Sequence, residues 1–158
     1  MVKFLSILRY FVGGIGIASG FYYLASSSPE EALKVVSLAT VGIVGVISFF
    51  THVVFQKEDA KRLGWPTDHP EWQFEVGFAN MAFGISAIIV YFGEWDIAAS
   101  TILILAYALY LLQAAILHSA YSFRDGKKDI GHFIRSGIVT FLYSGMMLYF
   151  AIMGIINL

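Results

Sequence analysis

Five long apolar runs constrain what this 158-residue chain can form. They cover about residues 4–26, 33–55, 74–92, 97–121 and 133–156. At about 1.5 Å per residue, a helix needs about 20 mostly apolar residues to cross about 30 Å of hydrocarbon. The runs lack the apolar–polar alternation of transmembrane barrel strands. The sequence therefore predicts an all-α membrane protein, a bundle of five transmembrane helices that forms one domain over residues 1–158.

The composition explains why lipid is the expected surrounding. Hydrophobic residues make up 58% of the chain, charged residues 13%, and the mean hydropathy is +0.74. A domain of this size cannot hide so much apolar surface from water. The net charge of −1 argues against nucleic-acid binding, and the lack of cysteine excludes disulfides, thiolate nucleophiles and cysteine-ligated metals. With no G-x-S-x-G or H-E-x-x-H signature, the sequence favours a non-enzymatic function.

The basic residues predict the orientation of the bundle. Nine of the ten fall at one end of a five-pass arrangement, and only Lys34 falls at the other. The nine are Lys3, Arg9, Lys57, Lys61, Arg62, Arg124, Lys127, Lys128 and Arg135. The positive-inside rule then places the N-terminus in the cytoplasm and the C-terminus outside. Helix one is expected to be retained rather than cleaved, because its apolar run is longer than the core of a signal peptide.

The segment between helices two and three carries local boundary signals. QKEDAKRL is expected to continue helix two into water, with Gly64 as its stop. Asp68 followed by Glu71 fits a capping box, and Pro70 suits a first turn. Helix three is therefore predicted to begin at Asp68 or His69.

Small residues mark packing faces in the predicted spans. Helix one carries Gly13, Gly16 and Gly20 on one face, and the pair Gly16 and Gly20 forms a small-xxx-small pattern. The pattern fits two interpretations: a packing seam within the bundle, or a homo-oligomer interface formed by helix one. The spacing does not separate them.

Polar side chains gather in the cytoplasmic half of the predicted bundle. Each span places an ionisable or amide side chain within about 12 Å of that interface, whereas the outer halves offer only Ser, Thr and Tyr. Such groups are expensive in lipid and mark functional sites by default. The sequence predicts a polar binding cluster open to the cytoplasm, with Arg9 and Glu75 as a charge pair. Its members are Arg9, His52, Glu75, Asn80, Gln113 and His118; His132 and Arg135 begin helix five at a similar depth.

Several functions fit this cluster. The first is the handling of a small solute, ion or proton, that is, transport or binding, with Glu75 as the central group. The second is a redox or metal site, in which His52 and His118 act as haem or metal ligands and Glu75 completes the set. The third is a non-catalytic subunit of a larger membrane complex. Against all three stands the interpretation that Arg9 reaches lipid phosphate and the histidines lie among headgroups.

The start of helix three resembles a known family signature. Gly64-Trp65, then Trp72-Gln73-Phe74-Glu75, then Gly77, Ala79 and Asn80 are similar to the pattern of a family of small multi-pass prokaryotic membrane proteins of unknown function. That pattern is Gly-Trp, then Pro-Phe-Gln-x-Glu-x-Gly-x-Ala-Asn. Here Glu71 follows Pro70, and Trp72 stands where Phe is usual. The resemblance implies a prokaryotic plasma-membrane protein and groups Gln73, Glu75 and Asn80, but it implies no activity.

Overall fold

The computed structural model describes residues 1–63, 65, 67, 70–123 and 130–157, without the side chains of His132, Arg135 and Ser136. Within these residues the chain is helical and has no strand. Five helices are long and apolar enough to cross a membrane. The elements are α1 (Val2–Ala25), α2 (Pro29–Val54), α3 (Gln56–Leu63), α4 (Glu71–Phe92), α5 (Ile97–Ser122) and α6 (Val139–Ile156), of which only α3 is too short to span. The predicted all-α architecture with five membrane-length helices is confirmed.

The helix boundaries differ from the predicted ones at two places. α2 begins at Pro29 rather than near residue 33, because the proline occupies a first-turn position and Glu30 and Glu31 favour a helix N-terminus. Before α6, the segments Ile130–His132 and Phe133–Ile138 are already helical. The predicted helical extension QKEDAKRL is α3, separated from α2 at Phe55.

The predicted caps of this connection fall mostly outside the described residues. That is the case for Gly64, Asp68 and His69. α4 is helical from Glu71, and Pro70 precedes it without a side-chain cap bond. The expected start at Asp68 or His69 is therefore wrong: the helix begins two to three residues later, at Glu71, directly after Pro70.

Two stretches of α2 are π-helical, Ser37–Ile43 and Phe50–Val54. A hydroxyl donates to a backbone carbonyl in each: Thr40 Oγ1 to Val36 O at 2.7 Å, and Thr51 Oγ1 to Ser48 O at 2.8 Å. Wide turns inside α-helices occur frequently at functional sites. The second stretch carries His52 and ends the span directly before α3.

α2 is the central helix of the bundle. Fifty-six per cent of its most apolar window is buried, against 28–33% for the other spans. Glycines allow its neighbours to come close: a Cβ at Gly16 of α1 would lie 2.5 Å from Ala39 Cβ, and one at Gly45 of α2 would lie 2.6 Å from the carbonyl oxygen of Asn80. The α1 glycines are thus packing positions within the chain. Oligomerisation through that face stays a prediction.

The core is apolar and the outer surface is apolar too. Leu33, Ile104, Tyr107, Met147 and Phe150 are completely or almost completely buried. All five spans also expose large apolar side chains, and Ile7, Phe92 and Leu142 are each at least 60% accessible. Since monomeric soluble proteins rarely expose such broad apolar surface, this pattern indicates a lipid bilayer around the spans.

Candidate functional site

A completely buried carboxylate lies where α3 meets the ends of α2 and α4. Asp59 Oδ1 is 2.6 Å from Arg62 Nη2, and Asp59 Oδ2 is 3.0 Å from His52 Nδ1. Gln73 Nε2 donates to Asp59 Oδ2 at 3.3 Å, and Gln56 Nε2 donates to Gln73 Oε1 at 3.2 Å. We call His52, Gln56, Asp59, Arg62 and Gln73 the Asp59 cluster. It joins three helices through one acidic group.

The amphipathic pattern of α3 buries Asp59. Gln56, Asp59 and Ala60 are buried, and they fall on one face because residues three and four apart are neighbours on a helix. Lys57 and Glu58 are exposed on the other side. The face of α3 that packs against the bundle is therefore mostly polar, since two of its three buried residues are Gln56 and Asp59. That arrangement costs little only if each buried group has a partner.

The Asp59 carboxylate is held in its charged form. Burial alone raises its pKa, but the contacts with His52 and then Arg62 lower it, and the net result is a pKa below the usual 3.8. His52 Nδ1 is fully buried, and although it lies 3.0 Å from Asp59 Oδ2 it makes no aligned hydrogen bond among the described residues. The imidazole therefore faces the carboxylate at short range without the orientation of a fixed bond.

Trp65 lies against this cluster and connects it to α5. The ring centroids of Trp65 and His52 are 6.4 Å apart with an interplanar angle of 25°, and those of Trp65 and His118 are 5.6 Å apart at 8°. Trp72 meets the same indole at 4.7 Å, edge to face. One indole therefore contacts both histidines, which come from α2 and α5.

A second polar group lies within the spans. Tyr107 Oη donates to Asn80 Oδ1 at 2.6 Å, and Asn80 Nδ2 donates to Tyr110 Oη at 3.1 Å and to its own helix at Val76 O. Ser48 is within hydrogen-bonding reach of Tyr107 and accepts a long bond of 3.4 Å from Arg9 Nη1. We call Arg9, Ser48, Asn80, Tyr107 and Tyr110 the Asn80 cluster. It joins α1, α2, α4 and α5.

The six residues predicted to form one binding cluster are divided by the fold. Arg9 and Asn80 belong to the Asn80 cluster, while His52 and His118 contact Trp65. Glu75 and Gln113 are exposed.

The expected ion pair between Arg9 and Glu75 is not among the ion pairs of the described residues. The buried face of α4 carries Gln73, Gly77 and Asn80 at spacings of four and three, and Glu75 lies between the first two on the opposite side of the helix. The buried carboxylate of the polar region is therefore Asp59, whereas Glu75 is exposed.

Sequence reasoning missed Asp59 and underused Trp65. Asp59 lies in a hydrophilic stretch that is typical of a solvated helix, and depth from the membrane did not single it out. A usable indication was Ala60, an apolar residue inside QKEDAKRL that marks the buried side together with Gln56 and Asp59. The hydroxyl of Tyr107 was likewise overlooked, because it lies on an otherwise apolar helix.

The three metal candidates do not form a ligand set. Among the residues that the structure describes, no group of three or more His, Asp or Glu side chains converges. Glu75 is exposed, and Trp65 contacts the rings of both His52 and His118. The geometry of these residues therefore does not support a haem or metal site. His69 and the side chain of His132 lie outside the described part of the chain.

Open clefts flank α3 on its charged side. One has a volume of about 340 Å³ and is lined by Met1, Val2, Lys3, Phe55, Glu58 and Arg62. Another, of about 760 Å³, is lined by Lys57, Lys61, Trp65 and Thr67. Both are shallow and basic, and neither is lined by the six predicted residues. Trp65 connects the second cleft to the histidines of the polar region.

Comparison with known proteins places the chain in a family without an assigned activity. A family model described as a family of unknown function (DUF6790) matches residues 4–155. No curated protein and no solved structure matches the chain. The expected relation to a family of unknown function is confirmed at that level, while the Gly-Trp signature and the prokaryotic origin stay predictions.

Proposed function

The chain belongs to DUF6790, a family of unknown function, and we propose from its own residues that it exchanges protons at the Asp59 cluster. In this proposal it is an integral membrane protein that handles a small solute, ion or proton at the end carrying α3. His52 is the group that gains and loses the proton. Asp59 supplies the fixed negative charge beside the imidazole, with its Oδ2 3.0 Å from His52 Nδ1.

The unaligned contact between His52 and Asp59 carries the proposal. Buried polar atoms nearly always have a well-formed hydrogen bond, and an exception calls for an explanation such as a reactive role or a small bound species. Four buried side-chain atoms of the described residues lack such a bond; three are serine hydroxyls, and the fourth is the His52 nitrogen, 3.0 Å from a buried carboxylate. Histidine is the side chain that ordinarily changes charge between pH 5 and 8. If Asp59 only held the helices together, its hydrogen bonds from Arg62 and Gln73 would be sufficient, and the contact with His52 would not be needed.

The location of the cluster supports access from one side. α3 carries Lys57, Lys61 and Arg62, and by the positive-inside rule this end faces the cytoplasm. The second cleft reaches Trp65, which contacts His52 and His118. In this proposal a proton or small polar solute enters on the α3 side, where Trp65 lies between the cleft and the imidazole. The family resemblance of the α4 start adds the expectation of a prokaryotic plasma membrane.

Trp65 provides a local optical reporter for the proposed exchange. In a Trp72→Phe/Trp95→Phe background, Trp65 is the sole tryptophan. A protonated imidazole against an indole lowers its fluorescence, so the emission of nanodisc-embedded protein should titrate between pH 5 and 8. The response to pH should be clearly smaller in His52→Gln than in the parent protein. Asp59→Asn removes the charge that lies 3.0 Å from His52 Nδ1 and should alter the response of the emission to pH.

His118→Gln is the matched control, because His118 contacts the same indole from α5. A titration that survives His52→Gln and disappears in His118→Gln would overturn the assignment. A flat emission profile in the parent protein would overturn proton exchange at this cluster altogether. Movement across the membrane is tested separately, with liposomes that enclose a pH-sensitive dye. Under an imposed pH gradient, the parent protein should dissipate the gradient faster than His52→Gln protein does.

A further inference from the structure

The outward face of α5 carries a carboxamide without a partner. Among the described residues, the buried amides Gln56, Gln73 and Asn80 each make at least one hydrogen bond. Gln113 is exposed, and none of the hydrogen bonds of the described residues involves it. It therefore stands apart from the other amides of the spans.

Gln113 lies within the hydrocarbon layer. At about 1.5 Å per residue, it is about 24 Å from the Ile97 end of α5 and about 14 Å from the Ser122 end. The helix is about 39 Å long and exceeds a core of about 30 Å by a few ångströms at each end, which leaves Gln113 roughly 9 Å deep. An unpaired primary amide at that depth is costly, since lipid offers neither donor nor acceptor.

The residues around Gln113 follow the spacing of a helix-pairing seam. Outward positions recur along α5 at intervals of four, three, four, three and four residues, and all are exposed except a half-buried Ala106. This is the seven-residue repeat of left-handed helix pairs, in which one polar seam position fixes register. The seam consists of Ile102, Ala106, Leu109, Gln113, Ile116 and Ala120. The opposite face, with Ile104, Ala108 and Ala115, is buried inside the bundle.

We propose that α5 pairs along this seam with α5 of a second copy of the chain, with Gln113 hydrogen-bonded to the partner's Gln113. Copies inserted in the same orientation are related by a two-fold axis along the membrane normal, so each residue meets its equivalent at the same depth. A primary amide has both donors and an acceptor. Two such amides therefore satisfy each other with reciprocal N–H···O bonds. The proposal does not depend on proton exchange at the Asp59 cluster.

Single cysteines test the geometry directly, because the chain contains none. Leu109→Cys and Ile116→Cys flank Gln113 on the seam and leave the amide intact. Leu142→Cys is the matched control, because Leu142 is an exposed leucine on α6. Under mild oxidation in nanodiscs or native membranes, both seam variants should form disulfide-linked dimers at least about fivefold faster than the control. Equal rates, or faster linkage at Leu142→Cys, would overturn the proposed face.

The amide itself is tested by association in liposomes. Energy transfer between labelled copies, measured over a range of protein-to-lipid ratios, should show that Gln113→Leu weakens dimerisation on the order of tenfold. Gln113→Asn should retain part of the affinity, and Ser86→Ala, which removes another exposed polar group, should match the parent. Unchanged melting in Gln113→Leu would show that the bundle is intact. A parent protein without energy transfer, or a Gln113→Leu variant of full affinity, would refute the pairing.

Discussion

The Asp59 cluster and the Asn80 cluster satisfy their buried polar groups with different kinds of partner. In the Asp59 cluster a carboxylate is surrounded by an arginine, an imidazole and an amide. In the Asn80 cluster an amide and two tyrosine hydroxyls bond to each other, and the one charge, on Arg9, reaches them through a long bond to Ser48. The first cluster compensates charge with charge, whereas the second is assembled mostly from neutral groups.

Position in the membrane accounts for the difference. α3 follows the end of the α2 span, where Arg62 keeps contact with water while its guanidinium binds Asp59. Asn80 and Tyr107 lie inside their spans, where an unpaired charge is far more expensive than a neutral hydrogen-bonded group. We therefore expect charge and pH effects from the Asp59 cluster, and packing and hydrogen-bond effects from the Asn80 cluster.

Asp59→Ala should have the largest effect on stability. It leaves the Arg62 guanidinium and the buried Gln73 amide without the carboxylate that accepts their hydrogen bonds, and such a loss destabilises by about 3 kcal/mol. Chemical or thermal unfolding in detergent measures it. Glu58→Ala changes the adjacent, exposed carboxylate and should stay within about 0.5 kcal/mol of the parent. Equal losses in the two variants would mean that Asp59 is not held as described.

Gly45→Ala should come next and act through the Asn80 cluster. The added methyl would lie 2.6 Å from the Asn80 carbonyl oxygen and would push α2 and α4 apart, at a cost of about 2 kcal/mol. Gly14→Ala provides the control, because nothing lies within 4 Å of its added Cβ. That variant should gain about 0.5–1 kcal/mol from helix propensity. The prediction fails if both glycines tolerate alanine equally in unfolding experiments.

Tyr107→Phe should cost about 1 kcal/mol, since it removes one buried hydroxyl and leaves Asn80 Oδ1 without its donor. Tyr149→Phe, on the exposed surface of α6, should be neutral. The loss at Tyr107 should be the same at pH 5 and pH 8, because the Asn80 cluster lacks a carboxylate and an imidazole. A pH-dependent loss would show that the two clusters are coupled.

Acidification should give the smallest effect, because burial and ionic contacts oppose each other at Asp59. Its folded-state pKa is lowered, so the unfolded chain binds the proton more readily. The stabilisation from this group is therefore complete above about pH 4 and is lost as the pH falls through the folded-state pKa. Melting temperatures between pH 6 and pH 2 should decline more in the parent than in Asp59→Asn. Parallel curves would contradict the assigned direction.

The comparison also shows which parts of the site could be predicted. Membrane depth selected three members of the two polar clusters, Arg9, His52 and Asn80, and also His118, which contacts Trp65. Depth could not separate them from Glu75 and Gln113, because it says nothing about rotation around the helix axis. Asp59 was not predicted as a site residue because it lies in a hydrophilic segment that follows the α2 span. A charged residue outside the membrane is expected to be solvated, but the folded chain buries Asp59 completely.

The sequence alone determined the five spans, the short helix after the second one, and the surplus of basic residues at one end, because hydropathy and length act locally along the chain. The tertiary structure decided which side chains meet. Glycines bring α1, α2 and α4 within backbone distance, and the π-helical end of α2 presents His52 to α3. Contacts between residues distant in sequence depend on how helices rotate and cross. Those angles follow from packing across the whole bundle, which no single segment contains.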